Sequence, residues 1–336
     1  MLSRHGIRSL CCAAVATAIL GMSAGASAAD AEKVKIGFLV KQAEEPWFQT
    51  EWQFAEKAGK EHGFEVIKIA VPDGEKTLSA IDSLAANGAK GFVICPPDVS
   101  LGPSIVAKAK ANGLKVMAVD DRFVDAKGKF MEDVPYLGMA AFEVGQKQGA
   151  AMADEAKNRK WDWKETYAII NTYNELDTGK KRTDGSVDAL KKAGLPEDHI
   201  LFAPQKTLDV PGSMDSTGAA LPKLPSGAKN LIVGGMNDNT VLGGVRATAG
   251  AGFAPANVIG IGINGTDAID ELKKKESGFY GSMLPSPDKE GYNTALMVYE
   301  WVTTGKEPPK YTAMDDVTLI HRGNFKDVLT PLGLYK

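Results

Sequence analysis

From Val34 onward, short continuous apolar runs alternate with longer amphipathic segments, and this alternation constrains the fold more than any other feature. The run Ile36–Val40 is typical of a strand that is covered on both faces. The next segment has helical spacing from about Phe48 to His62 and ends near a glycine. Strands and helices in such alternation favour a parallel sheet with right-handed crossovers.

Two neighbouring units nearly repeat each other. Ala86-Asn87-Gly88 and Ala111-Asn112-Gly113 each end a predicted helix, because glycine tolerates the left-handed conformation there. Each leads directly into a buried run, at Phe92–Ile94 and at Val116–Val119. The pattern restarts with a helix over 140–156 and continues through a second set of similar units. We therefore predict an α/β protein with two similar, doubly wound parallel-sheet lobes joined by several crossing segments.

The last fifty or so residues are too few to form a third domain, so they must complete the two lobes. We expect an N-terminal lobe of residues 30–139 plus about 286–313. The C-terminal lobe is expected to hold residues 140–285 plus about 314–336. The ligand site should then lie in the cleft between the lobes.

The N-terminus has the pattern of a secretory signal peptide. Arg4 and Arg8 form a positive segment, an apolar run follows, and small residues end at Ala28 and Ala29. The apolar run is short for a membrane span, which disfavours the alternative of an anchor that stays attached. We predict a signal peptide over residues 1–29, cleaved near Ala28 or Ala29, and export of the mature chain.

The mature chain cannot form an internal disulfide, so the exported protein must be stable without one. Two of the three cysteines lie in the leader, so Cys95 alone remains after cleavage. Loss of Arg4 and Arg8 takes the formal charge from -3 to -5. A mildly acidic surface with scattered lysines gives no footprint for nucleic acid, and we expect no nucleic-acid partner.

Polar and aromatic side chains gather where the predicted strands end, which is where open parallel sheets bind ligands. These positions are Lys41, Glu45, Trp47, Phe48, Cys95, Asp120, Asp121, Asn174, Glu175, Asp177, Lys180, Lys181, Arg182, Met236, Asn237, Asp238, Asn264 and Asp267. Carboxylates accept from sugar hydroxyls, whereas amides and cations donate to them. An aromatic ring can cover the C–H face of a sugar. The inventory indicates a site for a neutral polyol.

Several of these residues also have simpler structural interpretations. Asp238 or Asp267 alone is more often a helix N-cap. The run Lys180–Arg182 is typical of a solvated helix face, with at most one side chain turned inward. Asp120-Asp121 is more specific, because two adjacent carboxylates at the end of a buried strand need cationic or hydroxylic partners.

Catalytic and cofactor chemistries find little support. The stretch Gly260–Gly265 formally matches the dinucleotide fingerprint, but it lies late in the chain rather than on a first βα turn. His62, His199 and His321 are scattered, and no pair has metal-ligand spacing. No nucleophile-elbow motif is present. We predict a binding protein that is not an enzyme and needs no cofactor or metal.

Stretches along the whole mature chain resemble the L-arabinose-binding proteins, periplasmic sugar receptors of ABC importers. They are Gly37–Phe48, Gly63–Leu84, Val119–Asp121, Asn174–Thr178, Met236–Asp238, Gly260–Gly265 and Leu284–Pro287. The resemblance implies the periplasmic binding protein type I fold and a location in the periplasm. In that fold two Rossmann-like lobes joined by a hinge close on a monosaccharide, with L-arabinose expected. It also implies a monomer whose partners are the membrane permease and ATPase of the importer.

Carried over to this sequence, the family's sugar contacts fall on Lys41, Glu45, Asp120, Asp121, Arg182, Asn237 and Asn264. Its pocket-lining positions fall on Trp47, Phe48, Cys95, Met139, Leu176, Met236 and Asp267. Three departures are Ala43 in place of proline, Gly138 in place of methionine, and Lys180-Lys181 in place of arginines. Of these, Gly138 is expected to widen the pocket slightly.

Other assignments stay open from the sequence. The same pocket could prefer D-galactose, D-fucose or another monosaccharide. The sensing core of a lactose-repressor-type regulator shares the fold, but the signal peptide and the lack of an N-terminal helix-turn-helix disfavour it.

Overall fold

The computed structural model describes residues 33–335, and the predicted signal peptide therefore lies outside the described residues. The strands are β1 Lys35–Val40, β2 Glu65–Ala70, β3 Gly91–Ile94, β4 Lys115–Val119, β5 Tyr136–Met139, β6 Thr166–Thr172, β7 Ile200–Pro204, β8 Asn230–Gly234, β9 Val258–Ile263, β10 Phe279–Pro285, β11 Thr312–Met314 and β12 Val317–His321. The helices are α1 Pro46–His62, α2 Gly74–Ala86, α3 Gly102–Ala111, α4 Ala141–Asn158, α5 Asp177–Lys192, α6 Val210–Ala220, α7 Asp238–Gly250, α8 Ile269–Leu272, α9 Thr294–Thr304 and α10 Phe325–Leu329. Within 33–335, no helix is both long and apolar enough to cross a bilayer.

The strands form two six-stranded sheets of the same design. Their orders are β2-β1-β3-β4-β5-β11 and β7-β6-β8-β9-β10-β12. All neighbours pair in parallel except β10 and β12, which are antiparallel. The predicted class of two doubly wound α/β lobes is confirmed.

Each sheet is covered by helices on both faces. In the first lobe, Phe38 packs with α1 and α9, whereas Leu39 faces α2 and α3, so adjacent residues of β1 serve opposite cores. In the second lobe, α4 and α5 cover one face, while α7 and α10 cover the other. Coverage on both sides explains why the central strands are continuous apolar runs.

The chain passes between the two sheets three times within the described residues. The passages are β5 to α4, β10 to α9, and β11 to β12. The second passage contains a π-helical turn at Lys289–Asn293 that runs directly into α9. These connections bring the carboxyl ends of both sheets to a shared cleft.

The sequence predicted the long elements better than the short ones. Strands β5 and β11 were not predicted, and they have only four and three residues. A strand of three or four residues has too few positions to display a hydrophobic period.

Candidate ligand-binding cleft

A cavity of about 40 Å³ lies where residues from both sheets meet. Its lining is Lys41, Gln42, Glu45, Trp47, Phe48, Asp120, Asp121, Leu176, Thr178, Arg182, Leu208, Met236, Asn237 and Asn264. The sugar contacts and lining residues that the resemblance implies all line this cavity except Cys95, Met139 and Asp267. The remaining strand-end candidates do not line it: Asn174, Glu175, Asp177, Lys180, Lys181 and Asp238. The structure thus brings together side chains from many separate strand ends.

The three exceptions lie close by. Cys95 is fully buried behind Asp121, with 3.7 Å from its Sγ to the Oδ2 of that carboxylate. Met139 lines a neighbouring cavity of about 230 Å³, which also touches Asp121. Asp267 lies beside Asn264, with 3.5 Å between its Oδ2 and the amide nitrogen. Each is one side chain removed from the 40 Å³ cavity.

Lys41 and Asp121 form a buried ion pair in the first lobe. The Lys41 Nζ lies 2.5 Å from the Asp121 Oδ2, and only 4% of the Asp121 side chain is exposed. Burial opposes ionisation of Asp121, but the charge and hydrogen bond of Lys41 hold the pKa of this carboxyl below its usual value. Burial likewise opposes the charge of Lys41, yet Asp121 raises the pKa of the amine. Both groups therefore stay charged, one as donor and the other as acceptor.

Two cleft residues have a left-handed backbone although neither is glycine. Asp120 has φ 59° and Asn264 has φ 117°. Such conformations cost free energy and persist where the surrounding structure enforces them, often at functional sites. At Asp120 the constraint includes the Tyr136 hydroxyl, which donates to the Asp120 carbonyl at 2.8 Å. Burial, followed by the charge of Asp121, raises the pKa of the Asp120 carboxyl.

Glu45 lies at the start of α1 and faces the second lobe. Its Oε1 accepts hydrogen bonds from the Gln42 Nε2 at 2.9 Å and from the Asn239 Nδ2 at 3.2 Å. The latter bond joins the two lobes directly. Burial, with the nearby charge of Asp267, raises the pKa of Glu45 to about 7.

Arg182 is positioned by an unusually close contact between α4 and α5. A Cβ on Gly145 would lie 2.0 Å from the Arg182 carbonyl oxygen, and one on Gly149 would lie 2.3 Å from that of Ser186. Only glycine permits this approach. The Arg182 Nη1 donates to the Met236 carbonyl at 3.0 Å, while its buried Nε has no partner among the described residues.

The neighbouring lysines behave differently from Arg182. Lys180 pairs with Asp184, and Lys181 pairs with Asp177 at 2.8 Å; all four side chains are about half exposed. Only Arg182 of the three cations turns inward, as expected.

The loops after β8 and β9 are held by two different polar residues. Asn237 caps α7 by accepting from the Thr240 N–H at 3.0 Å. Asp238 is fully buried and accepts from the Ser282 hydroxyl at 2.5 Å and from the Gly265 N–H at 2.8 Å. The interpretation of Asp238 as an N-cap is therefore wrong; it ties the loop after β9 to α7.

Close contacts decide two predictions about glycines, the dinucleotide motif and the effect of Gly138 on the pocket. Gly262 lies within β9, and a Cβ there would be 2.1 Å from the Asp238 Oδ1. It permits packing of β9 against α7, so the formal dinucleotide motif does not form a phosphate-binding loop. A Cβ on Gly138 would lie 2.2 Å from the Tyr136 hydroxyl oxygen. Tyr136 fills the space beside Gly138. The expectation that Gly138 widens the 40 Å³ cavity is therefore wrong.

Sequence reasoning missed Gln42, Thr178 and Leu208. The Thr178 hydroxyl donates to the Asp121 Oδ1 at 2.8 Å and so connects α5 to the first lobe. A threonine at a helix start usually indicates a cap, which concealed this contact. Gln42 directly follows Lys41 at a strand end, and that position was a usable signal.

Comparison with known proteins identifies the family of the chain. Residues 33–327 match the family of periplasmic binding proteins and the sugar-binding domain of the LacI family. The chain is 58% identical, over 95% of its length and 97% of the relative, to the L-arabinose-binding periplasmic protein of Escherichia coli K12. It is 44% identical to an ABC transporter L-arabinose-binding periplasmic protein of Azospirillum brasilense, over 98% of each chain.

A solved structure supports the fold alone. A periplasmic ribose ABC transporter protein from Conexibacter woesei superposes with a TM-score of 0.72 at 18% identity, over 89% of this chain and 95% of the other. Together with the family match across nearly all the described residues, these findings show that the chain belongs to the family of periplasmic binding proteins and LacI-type sugar-binding domains.

Proposed function

We propose that this chain is the periplasmic receptor of an ABC importer, that it binds L-arabinose and that it delivers the sugar to the membrane permease. The observation that carries the proposal is 58% identity to an L-arabinose-binding periplasmic protein over 95% of the chain. The polar lining of the interlobe cavity is consistent with it, because each hydroxyl of a neutral sugar needs donors and acceptors together. The role is binding and transport rather than catalysis.

The proposed sugar contacts divide between the lobes. The first lobe offers Lys41, Glu45, Asp120 and Asp121, and the second offers Arg182, Asn237 and Asn264. Trp47 and Phe48 would cover the C–H face, as both lie at the cavity with polar neighbours. Leu176 and Met236 complete the wall. Cys95, Met139 and Asp267 would act from just behind it.

The lobes are proposed to comprise residues 30–139 with about 286–313, and 140–285 with about 314–336. Strand β11 and helix α9 pack with the first sheet, whereas β12 pairs within the second, which supports this division. The last crossing lies between Met314 and Val317.

Closure is the proposed binding mechanism. A sugar that contacts Lys41 and Arg182 at once does so only when the lobes are together, so it shifts the population toward the closed form. The interlobe bonds of Thr178 and Asn239 help to hold that form. The permease can then distinguish the loaded receptor by its shape.

Calorimetric titration of the chain from residue 30 with a sugar panel tests the proposal. L-arabinose should bind more tightly than D-ribose and D-xylose, and Asp121→Ala should abolish binding. Preference for ribose or xylose, or no binding of any monosaccharide, would contradict it.

D-galactose and D-fucose are the second candidates. Each carries one more carbon at C5 than L-arabinose, and the 230 Å³ cavity at Met139 offers room beside Asp121. The same titration ranks these sugars against L-arabinose.

A further inference from the structure

Three carboxyl groups meet behind the cleft. Glu51 lies in α1, Asp120 follows β4, and Glu290 lies in the π-helical turn Lys289–Asn293. One carboxyl oxygen of each lies within 4.8 Å of the others. Glu51 and Glu290 are fully buried, and Asp120 is 7% exposed. Three negative charges in this space would repel one another strongly.

Glu51 and Glu290 lack the donors that an ionised carboxylate needs. Neither oxygen of either side chain receives a hydrogen bond from the described residues. A buried, unpaired carboxylate is costly, and such groups take up a proton instead. A protonated carboxyl is an O–H donor, and the adjacent Asp120 carboxylate is a suitable acceptor.

The charged groups that face Glu51 do not offer it a free cation. They are Asp120, Glu290 and Lys41. Lys41 is already bonded to Asp121 at 2.5 Å. Burial, with the negative charges of Asp120 and Glu290, raises the pKa of Glu51 well above its usual value.

The surroundings of Glu290 lead to the same conclusion. Asp120, Arg182 and Asp316 are the charged groups that act on it, and Asp316 is paired with Lys289 nearer the surface. Burial and then Asp120 raise the pKa of Glu290 well above its usual value, although Arg182 opposes the shift.

Asp120 needs help to hold its position. Its backbone is left-handed, and the described residues offer its carboxylate one N–H donor, the Trp47 Nε1 at 3.4 Å. The Cys95 thiol and the Tyr136 phenol lie nearby, and burial raises the pKa of both, so they stay neutral. With Glu51 and Glu290 also neutral, the two cations Lys41 and Arg182 balance the two carboxylates Asp120 and Asp121.

We propose that Glu51 and Glu290 are neutral carboxylic acids that each donate an O–H hydrogen bond to the Asp120 carboxylate, and that they act as positioning residues for this sugar-binding group. The role rests on the proposed function of Asp120. The π-helical turn that carries Glu290 also packs closely on α1, because a Cβ on Gly291 would lie 2.3 Å from the Glu51 carbonyl oxygen. Glu290 thereby links the connection between the lobes to the cleft.

Infrared difference spectroscopy at pH 7 tests the protonation without any sugar. The wild-type protein should show the carbonyl stretch of a protonated carboxyl, and Glu51→Gln and Glu290→Gln should each remove part of it. The matched control is Glu271→Gln, because Glu271 is 7% exposed but paired with Lys274, and hydrogen bonds to Lys274 and Ser277 outweigh burial and lower the pKa of its carboxyl. This control should leave the band unchanged.

Titration with L-arabinose tests the positioning role. Glutamine keeps an N–H donor, so Glu290→Gln should bind within about threefold of wild type, whereas Glu290→Ala should bind about 10-fold or more weakly. The affinity of wild type should fall as pH rises toward the pKa of the cluster, and the double variant Glu51→Gln/Glu290→Gln should lose this dependence. If the acid band is present but L-arabinose does not bind, the result contradicts the proposed function and leaves the protonation of the cluster standing.

Three outcomes would overturn the inference itself. They are absence of the acid band in folded wild type, equal affinities of the glutamine and alanine variants at position 290, and tighter sugar binding on addition of Ca²⁺ or Mg²⁺. The last would assign the three carboxylates to a cation instead of protons.

Discussion

The two walls of the cleft use different chemistry to present hydrogen-bonding groups. The first lobe uses charges that neutralise each other locally, as in the 2.5 Å pair of Lys41 and Asp121. The second lobe uses groups held by backbone atoms, as in Arg182 on the Met236 carbonyl and Asn237 on the N–H of α7. A buried charge pair fails as a unit when one partner is lost, whereas a group anchored to backbone can be altered alone. The first wall should therefore couple binding to stability, and the second should not.

The largest expected effect follows from Lys41→Met. This change leaves the Asp121 carboxylate buried without its cation, so the free energy of unfolding should fall by about 3–5 kcal/mol and L-arabinose binding should be lost. Urea unfolding and calorimetry measure the two quantities. The double variant Lys41→Met/Asp121→Asn should recover most of the stability but not the binding. Failure of the double variant to recover stability would contradict the coupling.

Arg182→Lys tests the second wall. Lysine cannot reproduce the planar fork of donors, so affinity should fall by about 2–3 kcal/mol. The free energy of unfolding should change by less than about 1 kcal/mol, since the anchor is a single bond to a carbonyl. The control is Lys181→Ala, which removes a half-exposed ion pair and should leave both quantities nearly unchanged. A loss of stability as large as that of Lys41→Met would abolish the distinction between the walls.

Glu45 of the first lobe and Asp267 of the second are two carboxylates that repel each other across the cleft. Burial raises the pKa of Asp267 to about 6, and burial with the charge of Asp267 raises that of Glu45 to about 7. Between pH 4 and pH 7 the folded protein thus binds more protons than the unfolded chain, and the free energy of unfolding falls as pH rises. Asp267→Asn cannot ionise, so it should flatten this slope and stabilise the protein at pH 7 by about 1–2 kcal/mol.

Thermal unfolding across this pH window measures the effect. The control is Asp270→Asn, since Asp270 is exposed and its pKa is lowered by Lys273. This variant should keep the wild-type slope, and an unchanged slope in Asp267→Asn would refute the repulsion. Sugar-linked proton release from Glu45 at pH 6, measured in two buffers, would sharpen the comparison further.

The long elements of the fold could be predicted because each strand such as β1 shows its burial in consecutive apolar residues. Strand β11 could not, since its three residues gain their meaning only by pairing with β5. The strand-end residues that line the cleft followed from topology, which places the carboxyl ends of parallel strands together. Glu51 and Glu290 left no signal, because an acidic residue in an amphipathic helix is normally solvated and only tertiary packing buries these two.

Thr178→Val is the smallest predicted change and tests one of the two contacts described above in which a neutral donor joins the lobes. Valine keeps the shape but loses the O–H that bonds to Asp121 at 2.8 Å across the lobes. Because Asp121 keeps its bond to Lys41, affinity should fall by only about 1 kcal/mol and the free energy of unfolding should hardly change. Small-angle scattering without sugar should show a larger radius of gyration, since the closed form loses a bond that the open form never makes. An unchanged radius with unchanged affinity would mean that the Thr178–Asp121 bond does not stabilise the closed form.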